Sequence, residues 1–336
     1  MKLYEPEYYR NFHCIASACP DSCCKEWEVD VDEKTAEYYR SLPGPLGEKL
    51  RNSLREESYG TVMTIENGRC PMWRADGLCQ IQAELGHEAL CQVCRDFPRL
   101  RHDYGNFAEL GLELSCPEAA RLIFASQECH LQCHTVPGGE EPEYDPEIME
   151  ILLKSRQEVL IFLEKRRYPI QESLAIMLLY GHSVQSALDG GDYTPLDPES
   201  CLAEARKYAQ LADTRTLFEF FSNLEILTPQ WKAKLDAGAV NFSWTDSLRP
   251  LLRYGIQRYW LQAVSDYDLV CRVKFIIAAC LLVNAMGGKP QETAQLFSKE
   301  IENDPDNLEA ILDGAYTSPA LTDATLLGLI FQNRQN

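Results

Sequence analysis

Long apolar runs are missing from this 336-residue chain. The longest, Phe275 to Ala285, is interrupted by Asn284 and is too short to span a bilayer. The opening Met1-Lys2-Leu3-Tyr4-Glu5-Pro6 has no apolar core segment and no small-residue cleavage site, so a cytoplasmic protein without a membrane partner is expected. Positive charge is scarce as well. Thirty-two Lys and Arg stand against 51 Asp and Glu, a net charge of −19, divided as −8 over residues 1–134 and −11 over residues 135–336. Acidity in both halves argues against nucleic acid as a partner, although solubility alone accounts for such a charge. No glycine loop of the G-x-G type follows a strand, which removes the usual nucleotide-binding fingerprint.

Cysteine, by contrast, is abundant. Nine of the 14 lie between residues 14 and 116: Cys14, Cys19, Cys23, Cys24, Cys70, Cys79, Cys91, Cys94 and Cys116. They run as C-x4-C-x3-C-C, C-x8-C, C-x2-C and a last Cys in Leu114-Ser115-Cys116-Pro117. Grouped thiolates are soft ligands that select zinc, Cu(I) or iron–sulfur clusters. In a reducing compartment such a set reads as metal-binding or catalytic, and a chain this long does not need disulfide staples. Adjacent Cys23-Cys24 cannot easily share one small tetrahedral ion. They suit two metals, or one metal with a neighbouring thiol. Two four-ligand sites would use eight of the nine cysteines and one [4Fe–4S] cluster four, and spacing alone leaves both open. Only Cys91-x2-Cys94 matches a zinc pair closely. That pair also fits a redox dithiol, though without the βαβ setting. The radical-enzyme triad C-x3-C-x2-C is broken by Cys24.

Two further groups carry alternatives. Cys129-His130-x2-Cys133-His134 places like residues four apart, as a metal-binding helix face or a polar helix end. Arg95, Arg99 and Arg101 follow the C-x2-C, either as an anion site or as partners of Asp96 and Asp103.

The fold class expected is α+β and mostly α. A loop-rich cysteine domain with short strands (1–136) precedes an all-helical domain (143–336), with Pro137-Gly138-Gly139-Glu140-Glu141-Pro142 between them. Expected strands are Trp27–Val31, a hairpin of Thr61–Ile65 and Arg69–Trp73 around Asn67-Gly68, and Leu110–Leu114. Ile81–Phe97 reads as helix interrupted at Gly86 and stopped at Pro98. Helices are then expected over Ile148–Arg167, Glu172–Leu188, Cys201–Leu211, Thr216–Leu224, Leu248–Val264, Leu269–Met286, Gln291–Ile301, Leu308–Tyr316 and Thr322–Asn333. Cys201, Cys271 and Cys280 read as small core residues.

Four blocks stand out together: Phe12-His13-Cys14 through Cys23-Cys24 with Trp27, Gly77-Leu78-Cys79-Gln80-Ile81-Gln82 with Glu84-Leu85-Gly86, Leu90-Cys91-x2-Cys94-Arg95-Asp96-Phe97-Pro98-Arg99, and Leu114-Ser115-Cys116-Pro117-Glu118-Ala119-Ala120-Arg121. Taken together they resemble flagellin lysine N-methylases, in the wider group named for a cysteine-rich zinc- or iron-chelating domain. The specific likeness covers residues 8–125. It implies methyl transfer from S-adenosylmethionine to lysines of flagellin or another Lys-rich protein. It also implies an iron–sulfur cluster on the nine cysteines, [4Fe–4S] with zinc as the alternative. Arg95 and Arg99 are the candidate cofactor-binding residues, and the catalytic residues are unassigned by motif. A non-catalytic iron- or zinc-binding module is the alternative function.

Overall fold

The computed structural model describes residues 1–25, 27–127, 130–240 and 243–332. Its strands are β1 Lys2–Pro6, β2 Val29–Val31, β3 Leu54–Glu57, β4 Gly60–Met63, β5 Arg99–Asp103, β6 Phe107–Leu112 and β7 Leu131–Thr135. Helices of the first half are α1 Glu33–Ser41, α2 Gly44–Ser53, α3 Gln80–Leu85, α4 Gln92–Asp96 and α5 Pro117–Ala125. Those of the second half are α6 Pro146–Glu164, α7 Ile170–Leu188, α8 Pro198–Tyr208, α9 Thr214–Ser222, α10 Pro229–Ala237, α11 Arg249–Tyr259, α12 Val270–Met286, α13 Pro290–Phe297, α14 Pro305–Thr317 and α15 Asp323–Ile330. The α+β, mostly helical class is as expected.

Caps explain where many helices begin. Asp145-Pro146, Asp197-Pro198, Thr228-Pro229 and Asp304-Pro305 each place a side-chain acceptor at the N-cap and proline in the first turn. The cap oxygen satisfies an orphan amide, and proline has no amide to leave unpaired. Helices α6, α8 and α14 therefore start two or three residues before the apolar periodicity does. Thr228-Pro229 opens α10, a helix outside the expected set.

At the centre lies α12, with all of its residues from Val270 to Met286 buried. A helix apolar on every side belongs inside a bundle. Its neighbours approach closely: a Cβ on Gly255 of α11 would sit 2.9 Å from the Ile276 side chain. Cys271 and Cys280 are core residues here, and Cys201 packs against the same core. The large core is not confined to the helices. Tyr8, Phe12, Phe107, Leu112, Leu114 and Ile123 join it. A second core gathers Val29, Val31, Tyr39, Leu50, Met63, Met72, Ile81 and Leu90.

Two sheets serve these cores. The larger has strand order β5-β6-β1-β7, with β1 parallel to β6 and the other pairs antiparallel. The smaller has order β2-β4-β3, all antiparallel. Here one expectation is corrected. Asn67-Gly68 does turn the chain, with φ of 52° and 72°, but only the Glu66–Arg69 bridge closes on it. Thr61–Met63 pairs with β2 and β3 instead. Beyond the turn Pro71 has no amide for a ladder, and the Cys70 amide donates to the Cys24 carbonyl at 2.9 Å. The His130–His134 segment is also corrected, from helix to strand. In β7, Tyr4 faces Cys133 and Leu3 faces His134. His134 Nε2 lies 3.1 Å from Glu5, whereas His130 Nε2 lies 3.3 Å from Glu164. These histidines share no site, and Cys129 lies outside the described residues.

Asp323, at the start of α15, is 2.9 Å from His182 of α7 and 3.0 Å from Lys274 of α12. Burial opposes ionisation of its carboxyl, but the His182 hydrogen bond and charge, with Lys274, hold its pKa down at about 2. A depressed carboxyl stabilises the fold above its unfolded pKa of about 3.9. That contribution is lost as pH falls through about 2. Asp323→Asn should therefore lower Tm at pH 6 and converge with the parent protein only at about pH 2 and below, as thermal melts across that range would show. Among the described residues, no helix is long and apolar enough to cross a membrane.

Candidate metal and cofactor site

The cysteine blocks are brought together by backbone pairing in short loops. Residues 14–24 form a loop with a 3-10 turn at Ala16–Ala18. Ala16 donates its amide to Cys14 Sγ at 3.4 Å, and Cys19 Sγ donates to the Asp21 carbonyl at 3.1 Å. Trp27 Nε1 donates to the Cys23 carbonyl at 2.7 Å, fixing the loop's far end. The turn at Asn67-Gly68 delivers Cys70 beside Cys24. Cys79, bridged to Trp73, caps α3, and Cys91 caps α4, with Cys94 inside its first turn. Asp32 secures that turn by accepting from the Gln92 amide at 2.9 Å. Cys116 caps α5 after β6 has crossed the sheet.

The result is a cavity of about 770 Å³ between the two cores. Seven of the nine cysteines line it: Cys14, Cys19, Cys23, Cys24, Cys79, Cys94 and Cys116. Cys70 and the buried Cys91 are not part of the lining. The sulfurs fall into two neighbourhoods. Cys24 is hydrogen-bonded to Cys23 and Cys79, with Cys70 close enough to raise its pKa further; the thiol is pushed up to about 12. Burial and the neighbouring Cys19 and Cys14 push Cys116 up to about 11. Cys91 and Cys94 are hydrogen-bonded to each other, which draws Cys91 below the usual thiol range and, with burial, raises Cys94. All thirteen described cysteines are free thiols.

As donors these thiols suit a thiophilic metal or cluster by their softness and number, with seven of them lining one space. Among the described residues, however, no three His, Cys, Asp or Glu side chains stand around one point as ligands would. The raised thiol pKa values mean that loading such a site releases protons.

The rest of the lining is mixed. Phe12, Trp27, Leu78, Leu90, Phe97 and Leu227 give an apolar wall, with the Trp27 and Phe97 rings 6.3 Å apart. The charged lining is Lys25, Arg95, Arg99 and Lys299 against Asp21 and Asp96, a cationic excess in a strongly acidic chain. Arg101 is excluded from it and pairs with Asp103 at 2.7 Å. Arg99 lies over the Phe12 ring at 5.1 Å. Among the described residues, neither Arg95 nor Arg99 has a carboxylate partner. Asp21 is partly buried, which opposes its charge, but Lys25 at 2.8 Å, with Lys299 and Gln295, holds its pKa below the usual range.

The sequence reading missed Asp21, Lys25, Leu227, Gln295, Lys299 and Asn303. Asp21 lies inside a cysteine block and was open to notice. The residues from the helical half have no local signal, because only the tertiary fold brings them to the cysteines.

Comparison with known proteins finds relatives that match part of the chain. The flagellar biosynthetic protein FliU of Salmonella muenchen is 32% identical over 126 residues, which cover 35% of this chain and 75% of that protein. This chain belongs to the flagellin lysine N-methylase family. Proteins named lysine-N-methylase from Salmonella typhimurium strain LT2 and Salmonella choleraesuis strain SC-B67 are also 32% identical over 126 residues. There the chain spans only 31% of the relative's length. No family model matches the chain, and no solved structure does.

Proposed function

We propose that the protein is a cytoplasmic S-adenosylmethionine-dependent protein-lysine N-methyltransferase that acts on flagellin or a similar Lys-rich protein and holds an iron–sulfur cluster, or zinc, on its N-terminal cysteines. The observation that carries this reading is the cysteine-lined cavity of about 770 Å³ in a chain with lysine-N-methylase relatives. Such a volume is within the range of pockets that enclose small molecules.

Cys14, Cys23 and Cys94 are exposed on the wall, while Cys19, Cys24, Cys70, Cys79, Cys91 and Cys116 are held more deeply. Bound there, a metal centre would tie the loops together and offer a Lewis-acidic anchor. Arg95 and Arg99 are suited to the carboxylate of the methyl donor, and Trp27 and Phe97 to its aromatic ring. The reaction is a polar displacement. The neutral lysine nitrogen attacks the sulfonium methyl carbon, an N–C bond forms, and the C–S bond breaks to leave a thioether. The proton shed by the lysine ammonium must leave first, helped by desolvation in the apolar wall. The acidic surface favours approach of a basic substrate segment.

Incubating the protein with methyl-labelled S-adenosylmethionine and purified flagellin, followed by mass spectrometry, tests the reading. Lysine-attached label is expected, and Arg95→Ala should weaken donor affinity by about tenfold, the scale of one charge-assisted hydrogen bond. Metal bound with no donor affinity and no label would instead favour a non-catalytic metal-binding module.

A further inference from the structure

The helical half reaches the cavity through α13 and the π-helical turn Ser298–Glu302 that follows it. Gln295 Nε2 donates both to Asp21 Oδ2 at 3.0 Å and to the Ser115 carbonyl at 2.7 Å. One turn later Lys299 Nζ lies 3.2 Å from Asp21 Oδ1, at a side-chain exposure of 13%. Asp21 stands two residues from both Cys19 and Cys23, and Ser115 immediately precedes Cys116. One amide from the helical half thus bridges the first cysteine block and the last.

The base from which these side chains project is anchored by partly buried hydrogen bonds. Glu300 is fully buried and accepts from the Leu227 amide at 2.8 Å. Glu302 accepts from Tyr259 at 2.7 Å and from Tyr254 at 3.0 Å. A π-helical turn is rare and commonly marks a functional position, because the extra residue re-aims the side chains around it. Here the turn aims Lys299 at the cysteine loop.

We propose that Gln295 and Lys299 are positioning residues for the metal site, through which the helical half sets the metal affinity of the cysteine half. The inference rests on the metal reading above. Neither side chain is a ligand. Gln295 fixes the spacing between the Cys19–Cys23 loop and Cys116, and Lys299 holds Asp21 in the orientation that accepts Gln295. Removing groups that orient metal ligands typically lowers affinity by about 10–100-fold.

The test titrates Co²⁺ into full-length, chelator-stripped protein under anaerobic conditions, reading thiolate-to-cobalt absorption. The double variant Gln295→Met/Lys299→Met is expected to raise the Co²⁺ Kd by about tenfold or more and to shift the ligand-field bands. Lys299→Arg, which keeps the charge, should stay near the parent protein. Gln295→Glu keeps the size but sets a carboxylate against Asp21. It should weaken Co²⁺ binding too, and it covers the case in which the double variant does not fold. Unchanged affinity and bands in a variant that melts like the metal-free parent would overturn the proposal. A parent protein with no cobalt–thiolate absorption would sink the metal reading itself, and the clamp with it.

Discussion

Cys79→Ala should remove most of the bound metal and the chelator-sensitive part of the protein's thermal stability. Cys79 lines the cavity and is hydrogen-bonded to Cys24, so it stands where the first, second and third cysteine blocks meet. Metal binding at a site the unfolded chain lacks is also folding free energy, about 10 kcal/mol or more for structural zinc in small domains. Losing a central thiolate forfeits much of that. Cys280→Ala is the matched control. Its sulfur is fully buried in α12, far along the chain from the cysteine blocks, and its loss should leave metal content unchanged. Metal analysis and melts with and without chelator decide the matter. Equal metal content in Cys79→Ala and the parent would refute the assignment.

The second large effect is unrelated to metal. Arg156 of α6 grips Glu109 of β6 through two hydrogen bonds, at 2.7 and 2.5 Å, and both residues are buried. This pair pins the larger sheet to the helical bundle. Breaking it by Arg156→Ala strands a buried carboxylate, which costs about 3–5 kcal/mol. Tm should fall by roughly 5 °C for a chain of this size. Replacing both partners, as Arg156→Met/Glu109→Leu, should cost less than the single change, because no charge is left without a partner. Thermal or urea unfolding of the three variants tests this ordering. A double variant less stable than Arg156→Ala would contradict it.

The legible parts of this molecule are the local ones. Ligand-like cysteine spacing is a property of short segments, so the four blocks were readable before any fold was known. Apolar periodicity marked most helices of the second half, but it placed the starts of α6, α8 and α14 late. Those starts are set by Asp-Pro caps rather than by buried residues. The same signal, Thr228-Pro229, announces α10, which periodicity alone passes over. Asn67-Gly68 was correctly a turn, yet its partner strand failed because Cys70 gives its amide to Cys24 rather than to a ladder. His130 and His134 looked like a helix face because their spacing is four. Pairing of β7 with β1 overrides that pattern, a tertiary effect with no local trace. The contribution of Gln295 and Lys299 was beyond the sequence for the same reason. Nothing near residue 295 marks it as a neighbour of Ser115, 180 positions earlier.

What the cysteine-lined cavity holds decides the function. Protein purified without oxygen should be analysed for iron, acid-labile sulfide and zinc, its visible spectrum recorded, and S-adenosylmethionine titrated into the same sample. Iron and sulfide in similar amounts are expected, with visible absorption that the methyl donor perturbs at saturable concentrations. Protein free of iron and sulfide, with a spectrum the donor leaves unchanged, would contradict the cluster-containing methyltransferase.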